Sequence, residues 1–242
     1  CSTDSTRKIV VEYAEKHPDI IRLLLPESNL GMMKNFIKTM EAAKGKYIAL
    51  CEGDDYWTDP YKLQKQVDFL EENQDFGLCY TRCKYYIQEK KINVVSPFGK
   101  AEKFDELLLE NTIPTLTVLM RSELVNVYMS EIQPEKHVWK MGDYPMWLWF
   151  SAISKIKFID FETGTYRELS KSACHDQDII KSTLFRLNVA EIQIFFSKKY
   201  NKGSIIEKNL STFYFEILHS LYANYHKGHL FSVDLANFRI KL

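Results

Sequence analysis

The hydrophobic residues of the chain follow a helical period in some segments and form short apolar runs in others. The two patterns alternate three times, helix then strand, over 9–14 and 20–25, 33–43 and 48–51, and 63–70 and 76–87. A short apolar run bounded by polar residues is typical of a buried strand. The alternation of helix and strand therefore predicts a parallel α/β sheet, and the run at 48–51 predicts a central strand.

The second half of the chain has a different pattern. Residues 89–101 are polar and predict a connection, whereas 104–110 predicts a short helix. Residues 115–121 predict a strand, and the alternation of Thr115 and Thr117 with apolar residues gives it one polar face, which would be either half-exposed or substrate-lining. Beyond residue 176, two long helical segments extend towards the end of the chain.

Composition narrows the classes of protein to which the chain can belong. Its 32 basic and 32 acidic residues give a formal net charge of +0, which does not favour a nucleic-acid partner. No apolar run approaches the roughly 20 residues of a membrane span, and no signal peptide is recognisable, which favours a cytoplasmic protein. The five cysteines include no Cys-x-x-Cys pair, which favours free, reduced thiols.

The first chemical feature is the acidic turn that follows 48–51. Glu52, Asp54 and Asp55 lie at the carboxyl end of this predicted strand, where open α/β sheets bind their ligands. Three carboxylates so close together repel one another, and a divalent cation would compensate them. Oxygen ligands suit Mg²⁺ or Mn²⁺, and a metal held by one or two carboxylates keeps positions open for substrate phosphates. Taken alone, the same acids also fit a solvated turn before the next helix.

The second chemical feature is Asp143, which precedes an apolar, aromatic helical segment at 146–150. Asp143 stands where a helix N-cap is expected, with Pro145 in the first turn. Capping alone would explain the aspartate. Its aromatic neighbours predict a weakly polar setting, which favours a role in proton transfer.

These features together resemble bacterial family 2 glycosyltransferases, which have the GT-A fold. The resemblance rests on Glu-Gly-Asp-Asp-Tyr-Trp at 52–57, on Lys-Leu-Gln-Lys-Gln at 62–66, on Asp143 before a Trp-Leu helix, and on Tyr-Arg at 166–167. It implies an α/β fold with a mixed sheet flanked by helices and a helical C-terminal extension. The implied domains are a catalytic domain at 1–175 and a helical segment at 176–242. It also implies that the chain begins after the first strand–helix unit of the family.

The function implied by the resemblance is inverting transfer of a sugar from a nucleotide-diphosphate donor, with UDP expected, to a hydroxyl acceptor. The acceptor would be a glycan, a lipid-linked molecule or a protein, in the synthesis of cell-surface polysaccharide. The C-terminal helices are expected to pack on the catalytic domain. The alternatives are a role in binding a partner or in peripheral association with the inner face of the membrane.

The resemblance also assigns roles to individual residues. Asp143 would be the general base, and Asp54 with Glu52 would bind Mg²⁺ or Mn²⁺. Contacts with the nucleotide sugar are implied for Asp4, Asn29, Gly31, Glu52, Asp54, Asp55, Arg167 and His175. Thr115 and Trp147 would lie on the acceptor side.

Two departures from the family pattern keep alternatives open. Glu52 stands where the family has aspartate, and Gly142 stands where a glutamate usually precedes the base. A nucleotidyltransferase-like enzyme shares a related sheet and carboxylate-bound metal. A non-catalytic module that binds sugars or a partner, with degenerate motifs, is the alternative from a different class.

Overall fold

The computed structural model describes residues 2–169 and 179–226. The helices of these residues, α1 to α8, span Thr6–Lys16, Met32–Ala42, Lys62–Glu72, Phe104–Leu109, Ser122–Ile132, Asp143–Ile153, Ile179–Lys199 and Gly203–His226. The strands, β1 to β6, span Tyr47–Ala49, Tyr56–Trp57, Phe76–Ile87, Ile92–Val94, Leu119–Arg121 and Lys155–Glu168. Two 3₁₀ turns span Thr115–Thr117 and Pro134–Lys136.

The strands form one mixed sheet. Its strand order is β1-β5-β3-β6-β2, and β4 pairs with β3 as the second strand of a hairpin. β3 and β6 run parallel, whereas β5 pairs antiparallel with both β1 and β3, and β2 pairs antiparallel with β6. The structure thus confirms a mixed sheet flanked by helices, with a helical C-terminal region. The predicted strands β1 and β3 run parallel to each other, as the hydrophobic pattern predicted, but the antiparallel β5 lies between them.

The core lies on both faces of this sheet. Successive residues of β3 point to opposite faces, so Leu78 and Tyr80 join the main core while Cys79 packs with Leu70 of α3. On the main face, α6 is apolar on all sides, and every residue in 144–150 is buried. A helix with this composition must be enclosed by other elements. α4, α5, α7 and β6 provide that enclosure.

The C-terminal helices belong to the same core. Ile192 and Phe196 of α7 are fully buried, and Ile206 of α8 packs with them in the main cluster. The predicted packing of these helices on the sheet domain is therefore observed. The predicted domain boundary at 175/176 falls within 170–178, outside the described residues. None of the described helices is long and apolar enough to cross a membrane.

Two predicted strands differ from the structure near the start of the chain. Residues 20–25 form no strand, and Ile20 is 83% exposed. A strand forms only where a neighbour accepts and donates its backbone hydrogen bonds, and no described strand pairs with this segment. The strand predicted at 48–51 is β1, which lies at one end of the sheet order rather than in its centre.

The strand predicted at 115–121 is also different. Its first half is the 3₁₀ turn Thr115–Thr117, and only Leu119–Arg121 forms a strand. The Thr117 hydroxyl donates to Pro114 O at 2.8 Å, a local hydrogen bond that competes with strand pairing. Thr117 is fully buried and Thr115 is 9% exposed, so the expected half-exposed polar face is absent from this segment.

Arg121 joins three elements at the edge of the core. Its guanidinium is almost completely buried: Nε donates to Phe76 O at 2.9 Å, and Nη2 donates to Leu70 O and, at 3.3 Å, to Asn73 O. The carbonyls of Leu70 and Asn73 lie at the end of α3, where the helix has no further backbone N–H groups to donate to them. One side chain of β5 thereby ties α3 to the start of β3.

We expect Arg121→Met to lower the free energy of unfolding by about 2–4 kcal/mol, because three buried carbonyl oxygens lose their donor. Urea unfolding followed by circular dichroism measures the change. Arg82→Met is the matched control, since Arg82 forms an exposed ion pair with Asp160 and should cause a much smaller loss. Equal losses in the two variants would show that the Arg121 contacts contribute no special stability.

Candidate functional site

A cavity of about 550 Å³ opens between α2, the end of β1 and the start of α6. This volume lies in the range of small-molecule binding sites. Glu52, Thr115 and Asp143 supply polar groups to its wall. The apolar part of the wall comes from α2, the residue before Gly142, and α7: Met32, Phe36, Met40, Met141, Phe185 and Val189.

Asp143 is the first residue of α6. The N-cap position is occupied by Gly142, so the sequence-based placement of Asp143 as the cap itself is wrong by one residue. The helix N-terminus favours a carboxylate at this position. The Thr115 hydroxyl donates to Asp143 Oδ2 at 2.8 Å, which fixes the orientation of the carboxyl group. The 3₁₀ turn that replaced the predicted strand is therefore the element that brings Thr115 to Asp143.

The glycine before Asp143 has a packing reason. A Cβ atom added to Gly142 would lie 2.5 Å from Phe36 Cδ1, which is too close for two carbon atoms. Phe36 also lines the cavity, so its ring covers the start of α6. A glutamate at position 142 would require Phe36 to move. The ring of Phe36 thus explains why this chain has glycine at position 142, where the family usually has glutamate.

The acidic turn is held by the last strand of the sheet. The backbone N–H of Arg167 in β6 donates to Asp55 Oδ1 at 2.8 Å, and the Arg167 Nε donates to the carbonyl oxygen of Asp54. The backbone of Asp55 also donates to Glu52 O at 3.0 Å, which closes the turn. Asp55 Oδ2 is buried and has no hydrogen-bond partner among the described residues.

Burial, together with neighbouring carboxyl groups, raises the pKa of Glu52 and Asp55 in this turn. Burial, followed by the charges of Asp143, Asp55 and Asp54, raises the pKa of Glu52 to about 8. Glu52 is partly exposed to the cavity, but the protein atoms around its carboxyl group still desolvate it. Burial and the charge of Asp54 raise the pKa of Asp55 to about 6, against the lowering effect of the Arg167 backbone hydrogen bond. Without a cation, Glu52 therefore keeps its proton at neutral pH, which limits the negative charge of the cluster.

A metal would have to be held here by few protein ligands. Among the described residues, no three His, Cys, Asp or Glu side chains converge as a ready-made metal site. The orphaned Oδ2 of Asp55 and the raised pKa of Glu52 nevertheless fit a cation bound by one or two carboxylates, with substrate phosphates as further ligands.

Several residues predicted from the sequence have local structural contacts. Asp4 Oδ1 accepts a hydrogen bond from Thr6 N at 3.0 Å at the start of α1. Asn29 Oδ1 accepts one from Gly31 N at 2.8 Å, and Gly31 adopts a φ of 74° just before α2. These contacts form helix-start turns, and none of the three residues lines the cavity.

Trp147 and His175 complete the predicted set. Trp147 is fully buried in α6, so its side chain presents no surface to an acceptor, and the acceptor-side role expected for it is wrong. His175 lies outside the described residues. The structure thus brings together Glu52, Thr115 and Asp143 at the cavity. Asp54 and Asp55 lie in the adjoining turn, to which Arg167 of β6 is hydrogen-bonded.

Sequence reasoning missed the part of the cavity wall that comes from α7. Phe185 and Val189 line the cavity, although their helical segment was expected only to pack or to meet a membrane. Apolar residues are typical of both cavity walls and the protein core, so the sequence did not distinguish the two positions. Phe36 was recognised as apolar, but its contact with Gly142 joins positions more than a hundred residues apart and has no local signature.

We expect the stability of the metal-free protein to fall as the pH rises from 5 to 8.5. An ordinary glutamate in the unfolded chain ionises near pH 4.5, whereas Glu52 keeps its proton up to about pH 8 when folded. Between these values the folded state binds more protons, so stability decreases with pH. The melting temperature, measured in a chelator, should show this fall, and Glu52→Gln should flatten it.

The control for this measurement is Glu12→Gln on the exposed helix α1, which should keep the slope of the unmodified protein. Parallel pH profiles for the unmodified protein and Glu52→Gln would contradict the raised pKa of Glu52.

Comparison with known sequences identifies relatives that match about half of the chain. An uncharacterized protein of Mycobacterium tuberculosis is 38% identical over 125 residues, which are 50% of this chain and 36% of that protein. The putative teichuronic acid biosynthesis glycosyltransferase TuaG of Bacillus subtilis is 31% identical over 126 residues, which are 51% of this chain and 48% of TuaG. The matched segments thus span between about a third and a half of these curated relatives.

Solved structures share the fold. S. aureus TarS in complex with UDP superposes with a TM-score of 0.52 at 17% identity, and the match covers 79% of this chain and 53% of TarS. At this identity the likeness concerns the fold alone.

The family itself is identified by a match over slightly more than half of the chain. Residues 1–127 match the family described as Glycosyl transferase family 2. The matched segment contains the acidic turn and Thr115, and Asp143 follows it in sequence while lining the same cavity. By this match, the chain belongs to glycosyl transferase family 2.

Proposed function

We propose that the protein is an inverting glycosyltransferase that moves a sugar from a nucleotide-diphosphate donor to a hydroxyl group of an acceptor. The observation that carries this proposal is the position of Asp143, which lines one cavity with Glu52 and is oriented by Thr115. An inverting transfer needs a base beside the acceptor hydroxyl and a means to stabilise the departing diphosphate. The cavity offers a carboxylate for the first task and an acidic turn for the second.

Asp143 is the proposed general base. Thr115 donates its hydrogen bond to Oδ2, so the proposal assigns acceptance of the proton to the other oxygen, Oδ1. The acceptor hydroxyl would lose its proton to Asp143 while its oxygen attacks the anomeric carbon from the face opposite the diphosphate. The configuration at that carbon then inverts. A positioned base of this kind typically contributes about 10²–10⁴ in rate.

Asp54, with Glu52 and Asp55, is the proposed site for Mg²⁺ or Mn²⁺. The unpartnered Oδ2 of Asp55 supports a cation at this place, and a bound cation would displace the proton that Glu52 otherwise keeps. When bound, the ion would offset the charge that develops on the departing diphosphate. Arg167 would hold the turn in place through its hydrogen bonds to Asp54 and Asp55.

The donor and acceptor classes are supported by the relatives. UDP is the nucleotide in the S. aureus TarS complex that shares this fold, and it is therefore the first nucleotide to test. The name of TuaG refers to teichuronic acid, which supports a glycan acceptor in cell-surface polysaccharide synthesis. Asp4, Asn29 and Gly31 remain predicted donor contacts. Family membership argues against the nucleotidyltransferase alternative.

We expect Asp143→Asn to lower kcat by about 10²–10⁴ while leaving the affinity for UDP unchanged, because an amide cannot accept the proton. Release of UDP from UDP-sugars, with Mn²⁺ and candidate acceptors, measures kcat, and titration calorimetry measures UDP affinity. Asp160→Asn is the control, since Asp160 forms only exposed ion pairs. Equal loss of turnover and UDP affinity in Asp143→Asn would rule out its assignment as base.

We expect Asp54→Ala to abolish the Mn²⁺-dependent part of UDP binding, because the turn loses a carboxylate for the metal. Titration calorimetry of UDP, with Mn²⁺ present and absent, measures this dependence. Asp68→Ala removes an exposed carboxylate on α3 and should behave like the unmodified protein. Unchanged titration heats in Asp54→Ala would refute the proposed metal site.

A further inference from the structure

The 3₁₀ turn Thr115–Thr117 is held by two hydrogen bonds from side chains outside the turn. Trp57 Nε1 donates to Leu116 O at 2.8 Å. Gln66 Nε2 donates to Thr117 O at 2.8 Å, and the same amide approaches Cys79 O of β3 at 3.3 Å. Two consecutive carbonyls of the turn are therefore fixed by side chains from β2 and α3.

Lys62 supports both of these side chains. It is 1% exposed, its Nζ donates to Gln66 Oε1 at 2.8 Å, and the same nitrogen lies 4.5 Å from the centre of the Trp57 ring. A buried ammonium group is costly unless hydrogen bonds or an aromatic face stabilise it. We call Trp57, Gln66 and Lys62 the turn clamp. The clamp is one connected network, because Lys62 contacts both other members.

The turn needs this external support. It contains only three residues, and its backbone hydrogen bonds are Thr117 N to Pro114 O at 2.9 Å and Val118 N to Thr115 O at 3.2 Å, beside the bond from the Thr117 hydroxyl to Pro114 O. Short 3₁₀ segments have poor hydrogen-bond geometry and little stability of their own. Thr115 is the first residue of this turn, and its hydroxyl contacts the Asp143 carboxyl group. A change in the turn therefore alters the orientation of Asp143.

We infer that Trp57, Gln66 and Lys62 are positioning residues, which fix the turn Thr115–Thr117 and so hold Thr115 against Asp143. This inference rests on the proposed role of Asp143 as base. Trp57 also follows Asp55 by two residues, and its strand β2 pairs with β6, which carries Arg167. The turn clamp thus links the acidic turn on the donor side to the base on the acceptor side.

The inference predicts that Trp57→Phe loosens the turn. This change keeps an aromatic face for Lys62 but removes the N–H donor to Leu116 O. We expect faster hydrogen–deuterium exchange at the amides of Thr117 and Val118, measured by mass spectrometry on the substrate-free protein. Gln66→Met, which removes the donor to Thr117 O, should act in the same direction.

The kinetic expectation follows from the same contacts. Trp57→Phe should lower kcat roughly tenfold with the KM for the UDP-sugar nearly unchanged, because misplacement of a catalytic group affects the chemical step more than binding. The loss should largely disappear when Thr115→Val is already present, because Trp57 acts through the Thr115 hydroxyl.

The matched control is Trp149→Phe. Trp149 is buried in α6 and its Nε1 donates to Glu131 Oε2 at 3.1 Å, so the change also removes an indole hydrogen bond. This variant should lower the melting temperature without altering exchange at Thr117 and Val118. Rescue of kcat in Trp57→His, which restores a ring N–H, would support the positioning role further.

Two results would overturn the inference. The first is unchanged exchange at Thr117 and Val118 in both Trp57→Phe and Gln66→Met, a result that needs no turnover. The second is a loss of kcat in Trp57→Phe that is equally large with and without Thr115→Val. Retained transfer by Asp143→Asn would instead overturn the proposed function, and with it the catalytic purpose of the turn clamp.

Discussion

The parallel pairing of β3 with β6 is the constraint on which the rest of the structure depends. Its register runs from Phe76 opposite Lys155 to Ile87 opposite Glu168. Parallel neighbours need a long connection, and here it contains α4, β5, α5 and α6. This connection places Asp143 on one side of the sheet, while the far end of β6 places Arg167 against the acidic turn. One pairing thus determines where both chemical clusters lie.

The sequence correctly predicted the elements in which hydrophobic residues recur at regular spacing over many consecutive positions. β3 has the predicted bounds, and α2 and α3 begin and end within a residue or so of their predicted segments, because their apolar spacing repeats over several turns. The two acidic clusters were predicted from charge and from their order along the chain. Their meeting in one cavity could be expected only from the resemblance to a family, since no local pattern in the sequence specifies that Glu52 and Asp143 line the same cavity.

The errors occurred where distant residues decide the local structure. Hydroxyl and apolar residues alternate in 115–121 as in a strand, but the carbonyls of its first half are bound by Trp57 and Gln66, which lie about fifty residues earlier. Residues 20–25 have the composition of a strand but no described partner. Asp143 was predicted to be the N-cap, but the N-cap is Gly142 and Asp143 is the next residue. The close approach of Phe36, which is distant in sequence, explains the glycine at this position.

α7 belongs to two environments at once. Its middle contributes Ile192 and Phe196 to the core, whereas Phe185 and Val189, one to three turns earlier, face the cavity. Core positions tolerate little change in volume, but positions on a cavity wall can vary without loss of the fold. The first half of α7 is therefore a place where members of one lineage can diverge in the shape of the cavity while Asp143, the proposed base on α6, stays fixed. Selectivity and chemistry would then evolve on separate helices.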